Sequence, residues 1–400
     1  MDSAKSDAPL REAVAAAVGW LTGTAANRTE TPVGKRGAKL RLKSWVGAIR
    51  GEYRAATKEW DSFCPVWHTG QAVKALVAAS EALGRPEWLE RAVFHAEFLL
   101  ANQIADGPDA GMLLGFEDHP GKDYVNTSAV LESLDGLFEL SRATGDERFA
   151  DAAVRALRWV KRTAWLPERG LFDDLYDIHQ RCFVHGIQAA QGRPLLDDAV
   201  FLTGWQLTGD AGFREVALRT AETLVRDEFP AGNWLNYGPC SRDEGVLHPR
   251  PAYWWGNPML EVYEATGEER FRELFLRSAC WYLRALRLDG GLFRDTSPAF
   301  NTTSFGHAAS GSASAAVMLL RAWRASGERE FLEGARRALR FCLSMQFTRA
   351  GDPALNGAIL EKVLPPDGSD ASPYHVRDLG TIFFLQAAAL WLRLSPPFKL

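Results

Sequence analysis

The chain has only five cysteines in 400 residues, an odd number, scattered and never in a CxxC pair. That spacing builds no disulfide framework and no thiolate metal set, so reduced core cysteines in a cytoplasmic protein are expected. Net charge is also small: 46 Lys and Arg against 50 Asp and Glu leave −4. Nucleic-acid binding leaves a basic surplus in a sequence, and none is present, so nucleic acid is not an expected partner. No apolar run is long enough to span a bilayer, and no basic-then-apolar leader precedes Arg11, so no membrane partner is expected. Gly-rich phosphate loops, nucleophile elbows and zinc-ligand spacings are missing as well. Covalent nucleophilic chemistry and nucleotide use are therefore unsupported.

What the chain does have is a five-residue mark that repeats. Gly84-Arg-Pro-Glu-Trp88, Gly145-Asp-Glu-Arg-Phe149, Gly209-Asp-Ala-Gly-Phe213, Gly267-Glu-Glu-Arg-Phe271 and Gly327-Glu-Arg-Glu-Phe331 follow at Gly-to-Gly spacings of 61, 64, 58 and 60. A fixed internal period sets the architecture. Each glycine closes an apolar helical run, as after 72–82, 129–143 and 259–265, because it tolerates the left-handed conformation of a helix C-terminus. An acidic residue usually follows, where the next helix starts with a positive dipole end. The aromatic then lands on the inner face of that next helix. Each mark is thus the tight turn of a helical hairpin, with outgoing helices predicted over 87–102, 147–163, 212–227, 269–287 and 329–346. A sixth hairpin forms if the amphipathic helix 11–22 pairs with the apolar helix 378–394. Six hairpins closing on themselves give an all-α fold, an (α/α)6 barrel or six-hairpin toroid. An open solenoid is the alternative, disfavoured because the last helix is too apolar to serve as a cap. The domain plan is a disordered tail at 1–9 and a single barrel domain at 10–400, with a polar, basic, irregular arm at 25–50.

The two ends of such a barrel differ. The Gly-marked turns are short; the returns from outer to inner helices, at 105–122, 166–193, 229–251, 288–306 and 347–374, are long. Long loops on a rigid scaffold carry function. Inner helices also start at that rim and aim their N-terminal amides into the mouth, which favours an anionic ligand. Seven groups gather there. Trp60, Asp61, Trp67 and His68 could form a sugar platform, or simply pack and cap a helix. Glu117, Asp118, His119, Asp123 and Asn126 form a charged cluster that could equally be a solvated loop. Asp173, Asp174, Tyr176, Asp177 and His179 make a dense acidic run whose spacing fits no metal signature. Asp197 and Asp198 open an apolar inner helix; close carboxylates push their pKa values apart, though capping explains them too. His248, Arg250, Tyr253, Trp254 and Trp255 offer an arginine for a carboxylate and indoles for a ring. His307, Ser310 and Ser312 could contact ligand or only allow close helix packing. Tyr374, His375, Arg377 and Asp378 precede the last helix, with a local ion pair as the plain alternative.

Three segments resemble the six-hairpin glycosidase superfamily, most of all the unsaturated glucuronyl and rhamnogalacturonyl hydrolases. Trp255-Gly-Asn-Pro-Met259 is similar to an Arg-Gly-Gln/Asn-x-Trp helix start. Ser310-Gly-Ser-Ala-Ser-Ala315 resembles an Asp-Ser-Ser-Ala-Ser-Ala run. Asp197-Asp198, leading into Leu207-Thr-Gly-Asp210, resembles the helix of the catalytic Asp. Trp255 and Ser310 depart from the Arg and Asp of those patterns, and Asp198 stands about one turn too near the following turn. The resemblance implies hydration of a C4–C5 unsaturated uronide, without metal or organic cofactor. Asp197 or Asp198 would be the acid–base group, and Asp118 or Asp174 a second carboxylate. Arg250 or Arg377 would hold the uronate, while Trp60, Trp67, Trp254 and Trp255 would stack on sugar rings. The expected partner is an anionic oligosaccharide, the expected assembly a monomer or homodimer. Similar barrels host sugar epimerases and polysaccharide lyases, which His68, His119, His179, His248, His307 and His375 keep as an alternative. A non-catalytic sugar- or peptide-binding barrel is the second alternative.

Overall fold

The structure, a computed structural model, describes residues 7–117, 122–186, 192–302, 308–363 and 374–394; the side chains of 362, 363, 374 and 375 are outside this description. Twelve helices of eight or more residues stand among the described residues. We label them in chain order: α1 (Ala8–Gly23), α2 (Pro65–Leu83), α3 (Glu87–Ala101), α4 (Leu134–Thr144), α5 (Glu147–Thr163), α6 (Val200–Thr208), α7 (Ala211–Asp227), α8 (Met259–Thr266), α9 (Glu269–Ala285), α10 (Ala309–Ser326), α11 (Arg329–Ser344) and α12 (Asp378–Leu394).

The five marks are the turns between α2 and α3, α4 and α5, α6 and α7, α8 and α9, and α10 and α11. Their glycines have φ values of 65°, 75°, 72°, 73° and 76°, the left-handed C-cap that glycine adopts without penalty. In each, the glycine amide returns to the carbonyl four residues back, as from Gly145 to Ser141 at 2.8 Å. Four residues on, Trp88, Phe149, Phe213, Phe271 and Phe331 are all buried on the inner faces of the outgoing helices. α1 packs on α12, so the two chain ends supply the sixth hairpin. α12 also packs on α2 and α10, which closes the inner ring. The fold is the (α/α)6 barrel. Inner helices α10 and α12 are buried almost all round, as expected of an inner ring.

The structure adds features the repeat does not encode. The second inner helix is broken: a short turn at Thr127–Leu131 precedes α4, with Glu132 and Ser133 at the break. Small antiparallel sheets tie the long loops at the mouth, with strands such as Tyr124–Asn126, Leu175–Asp177 and Cys182–Phe183 in one of them. The strand Glu52–Arg54 pairs with Tyr374–Arg377, joining the N-terminal arm to the start of α12. The arm itself is irregular apart from one helical turn, and α1 begins at Ala8 rather than after residue 10.

Candidate active site

The last residues before the inner helices converge at the mouth. Asp197 is 3 % exposed and its Oδ2 has no protein partner among the described residues. Burial pushes its pKa up to about 7, and the neighbouring Asp198 adds to this, while Arg193 and Arg250 pull the other way. Asp198 and Ala199 both sit in the left-handed region, at φ 51° and 52°. Neither is glycine, so the turn stores strain of about 1–3 kcal/mol per residue. Its effect is to separate two adjacent carboxylates. Asp198 accepts from Gln71 Nε2 at 3.2 Å and pairs with Lys74 Nζ at 2.7 Å. Asp197 stays with Arg193, Arg250 and Glu132.

Glu132, at the break in the second inner helix, is buried, and burial together with Asp197 pushes its pKa well above the usual carboxylate range. Burial and the nearby Asp197 thus both favour its protonated form. Arg250 is 4 % exposed, and its Nε and Nη2 have no protein hydrogen-bond partner among the described residues. The guanidinium carbon lies 4.0 Å from the Phe383 ring centre and 4.9 Å from that of Trp254. A buried guanidinium lined by aromatic faces and lacking a paired anion is costly unless something completes it. The five residues from Ala252 to Gly256 form a π-helical turn that carries Tyr253 and Trp254 beside it.

Other predicted residues fall elsewhere. Asp174 is buried with Arg193 at 2.5 Å and accepts from the Ser128 amide at 2.8 Å, so it caps the broken helix and orients Arg193. Both its oxygens are engaged by Ser128 and Arg193, the setting of a capping and orienting carboxylate. Trp255 is fully buried against Trp234 and Tyr237 and has no face left for a sugar. Trp254, by contrast, is half-buried and stacks on His248 at 6.2 Å. His179 is exposed on a strand turn, paired with Asp123 at 2.7 Å, and does not join the cluster. Arg377 lies over Phe63 at 4.0 Å and pairs with Glu52 at 3.1 Å, so its charge is spent within a network that includes Arg36 and Asp61. Trp60 is half-buried in the arm's sheet between Trp20, Tyr53 and Arg50. Trp67 is half-buried at the start of α2, edge-on to His68. His68 is fully buried with Nδ1 2.5 Å from Asp378 Oδ1, and its Nε2 has no protein partner among the described residues. The contact is too bent for an ordinary hydrogen bond, but distance and burial mark a close pair. Asp118, His119 and His307 lie outside the described residues, as does the His375 side chain.

Residue types scattered through apolar helices escaped the sequence reading. Glu132, Lys74 and Gln71 are polar residues in inner helices that otherwise bury apolar ones, and that isolation is the signal that could have found them. Glu361 is buried too, and accepts from Ser310 N at 2.9 Å and Ser310 Oγ at 2.5 Å at the start of α10. Burial raises its pKa. Glu117, raised to about 7 by burial and by Asp174, sits at the edge of the same mouth. A cavity of about 480 Å³ lies on the other, short-turn side of Asp198. Lys74, Asp135 and Tyr253 line its inner end, and Glu81, Arg142 and Arg393 its outer end. Among the described residues no cluster of three His, Cys, Asp or Glu is placed to hold a metal ion. No described helix is long and apolar enough to cross a membrane.

Barrel and mouth together have the architecture of an (α/α)6 barrel that solved structures share. The chain is similar to an unsaturated glucuronyl hydrolase specific for heparin, with TM-score 0.70, 14% identity and coverage of 98% of this chain and 100% of that one. It is similar to the unsaturated glucuronyl hydrolase of Bacillus sp. GL1 at TM-score 0.68, 17% identity and 98% of each chain. The cellobiose 2-epimerase of Bacillus thermoamylovorans B4167 superposes at TM-score 0.67, 13% identity, over 91% of this chain and 97% of that one. No family model matches the sequence, and no curated relative matches it. The likeness is one of fold.

Proposed function

We propose that the protein is a carbohydrate-active enzyme that hydrates a C4–C5 unsaturated uronic acid at the end of an oligosaccharide. The observation that carries this reading is Arg250, a buried guanidinium without a paired anion among the described residues, beside a carboxyl whose pKa burial lifts to about 7. A uronate carboxylate would complete Arg250, and Trp254 offers the sugar a flat face. Asp197 is the proton donor. Its proton goes to C4, water adds its oxygen at C5, and the proton released by that water returns to the Asp197 carboxylate. The C5 hemiketal then opens, the glycosidic bond breaks, and a keto sugar is left. The glucuronyl hydrolases that share the fold support this choice of substrate.

The unsaturated uronide absorbs in the ultraviolet, so its loss reads the reaction directly. Asp197→Asn is expected to abolish that loss in a folded protein. Arg250→Met is expected to raise KM at least a hundredfold. Full turnover by Asp197→Asn would remove the residue from the mechanism.

A second reading rests on the buried His68–Asp378 pair and on the epimerases that share the fold. Epimerisation would leave the absorbance of an unsaturated uronide unchanged and convert a saturated reducing sugar into its C2 epimer. Elimination would raise the absorbance of a saturated uronide polymer. Tight binding without any turnover across a uronide panel would leave a binding barrel.

A further inference from the structure

Two adjacent acids at a helix start are of use to an acid catalyst only if one of them is kept out of the way. Here the separation is built. The left-handed Asp198–Ala199 turn sends the Asp198 carboxylate to the rear cavity. There Lys74 Nζ reaches Asp198 Oδ1 at 2.7 Å and Asp135 Oδ2 at 2.9 Å, with Gln71 Nε2 on the other Asp198 oxygen at 3.2 Å. Lys74 and Gln71 come from α2, Asp135 from α4 and Asp198 from the start of α6. One ammonium thus ties three inner helices behind the mouth. Tyr253, from the turn that follows Arg250, also faces Lys74 and Asp198. Lys74 is the cation in contact with Asp198 among the described residues. Local bonds from Ala199 N to the Leu196 carbonyl at 2.9 Å and from Val200 N to the Asp197 carbonyl close the turn, and the tertiary contact with Lys74 holds its Asp198 side chain.

We propose that Lys74, braced by Asp135, is a positioning residue that holds the Asp198 carboxylate behind the helix start, so that of the two adjacent acids only Asp197 presents its carboxyl to the mouth. The inference rests on the reading of Asp197 as the proton donor. Without Lys74 the Asp198 carboxylate loses the cation that touches it among the described residues. The left-handed turn relaxes, and Asp197 loses its aim at the substrate. Binding through Arg250 is untouched, so the effect falls on kcat rather than on KM.

The test measures kcat and KM on an unsaturated uronyl disaccharide, at a temperature well below the melting point of every variant. Lys74→Met is expected to lower kcat at least tenfold with KM within twofold of the parent. Lys74→Arg, which keeps the charge and the reach, is expected to restore kcat to within about threefold. The double variant Lys74→Met/Asp198→Asn is expected to turn over no worse than Lys74→Met, since the charge that needed holding is gone; such non-additivity is absent for residues that act independently. Should Lys74→Met fail to fold, Asp135→Asn keeps the Lys74–Asp198 pair but removes its brace, and is expected to lower kcat severalfold at unchanged KM. Parental kcat in folded Lys74→Met, or in Asp135→Asn in its place, overturns the proposal. Asp197→Asn is run beside them. If it still turns over, the proton-donor reading fails; if it is inactive while Lys74→Met is as fast as the parent, only the clamp fails.

Discussion

Ionising Asp197 costs the fold stability. An unfolded aspartate titrates near pH 3.9, whereas burial lifts Asp197 to about 7. The native state therefore holds a proton that the unfolded chain releases. The associated stability is fully present below about pH 4 and is lost as the pH rises through about 7. Each pKa unit is worth about 1.4 kcal/mol, so ionised Asp197 costs on the order of 2–4 kcal/mol above pH 7. Asp197→Asn cannot ionise. It is expected to melt higher than the parent at pH 8 and no higher at pH 4, followed by circular dichroism on heating. Equal melting points at pH 8 would show that Asp197 is not a strained acid. A gain in stability with loss of turnover is the usual mark of a functional group. At this scale the sequence was half legible. Asp197 and Arg250 stand out in the sequence as an acid pair and an arginine beside two indoles, and the structure buries both at the mouth. Glu132 and Lys74 do not, because their meaning depends on which hairpin faces them across the barrel. The surroundings of Trp255 and Asp174 were not legible for the same reason: type and loop position say nothing of whether Trp234 or Arg193 already occupies the side chain.

Among elements, the packing of α2 against α4 sets the spacing of the clamp. A methyl group on Gly70 would come within 2.6 Å of the Ser133 Cβ, and one on Gly136 within 3.0 Å of the Lys74 amide nitrogen. Only hydrogen fits at this crossing, and overpacking of this kind costs about 1–3 kcal/mol or more. Gly136→Ala is expected to lower the melting temperature by several degrees and to reduce kcat along with it, because α2 carries Lys74 away from Asp198. Gly145→Ala is the control. Its φ is strained for alanine but the space around it is empty, so stability falls by about 1 kcal/mol and kcat holds. A kcat unchanged in Gly136→Ala would uncouple the crossing from the site. Helix boundaries were legible to within a few residues because each hairpin carries its own stop and start. The helix 147–163 was placed to the residue. The break at Glu132–Ser133 was not legible, since the run 129–143 is continuously helical in pattern and only the close approach of Gly70 shows why it yields. Nor were the small sheets, whose two- to four-residue strands are shorter than any alternation that sequence can display.

For the whole molecule, closure depends on two segments about 350 residues apart in sequence. α1 buries Leu10, Val14, Ala17, Val18, Trp20 and Leu21. It is pinned by Trp20 Nε1 to the Ala354 carbonyl at 2.8 Å and by Gln346 Nε2 to the Ala13 carbonyl at 2.9 Å. At about 1.5–3 kcal/mol for each large side chain, its apolar face is worth roughly 10 kcal/mol. That is comparable with the whole stability of an ordinary domain, about 5–15 kcal/mol. A solenoid would shed a terminal helix with a local loss, since each unit there contacts only its neighbours. A ring cannot, because α12 would lose the partner that seals it and with it the footing of Asp378 at the mouth. Deleting residues 1–24 is therefore expected to abolish the single sharp thermal transition and to expose apolar surface, read as dye binding at 20 °C. A truncated chain that still melts in one transition within a few degrees of the parent would mean that five hairpins suffice, and that the sixth serves only to cover them.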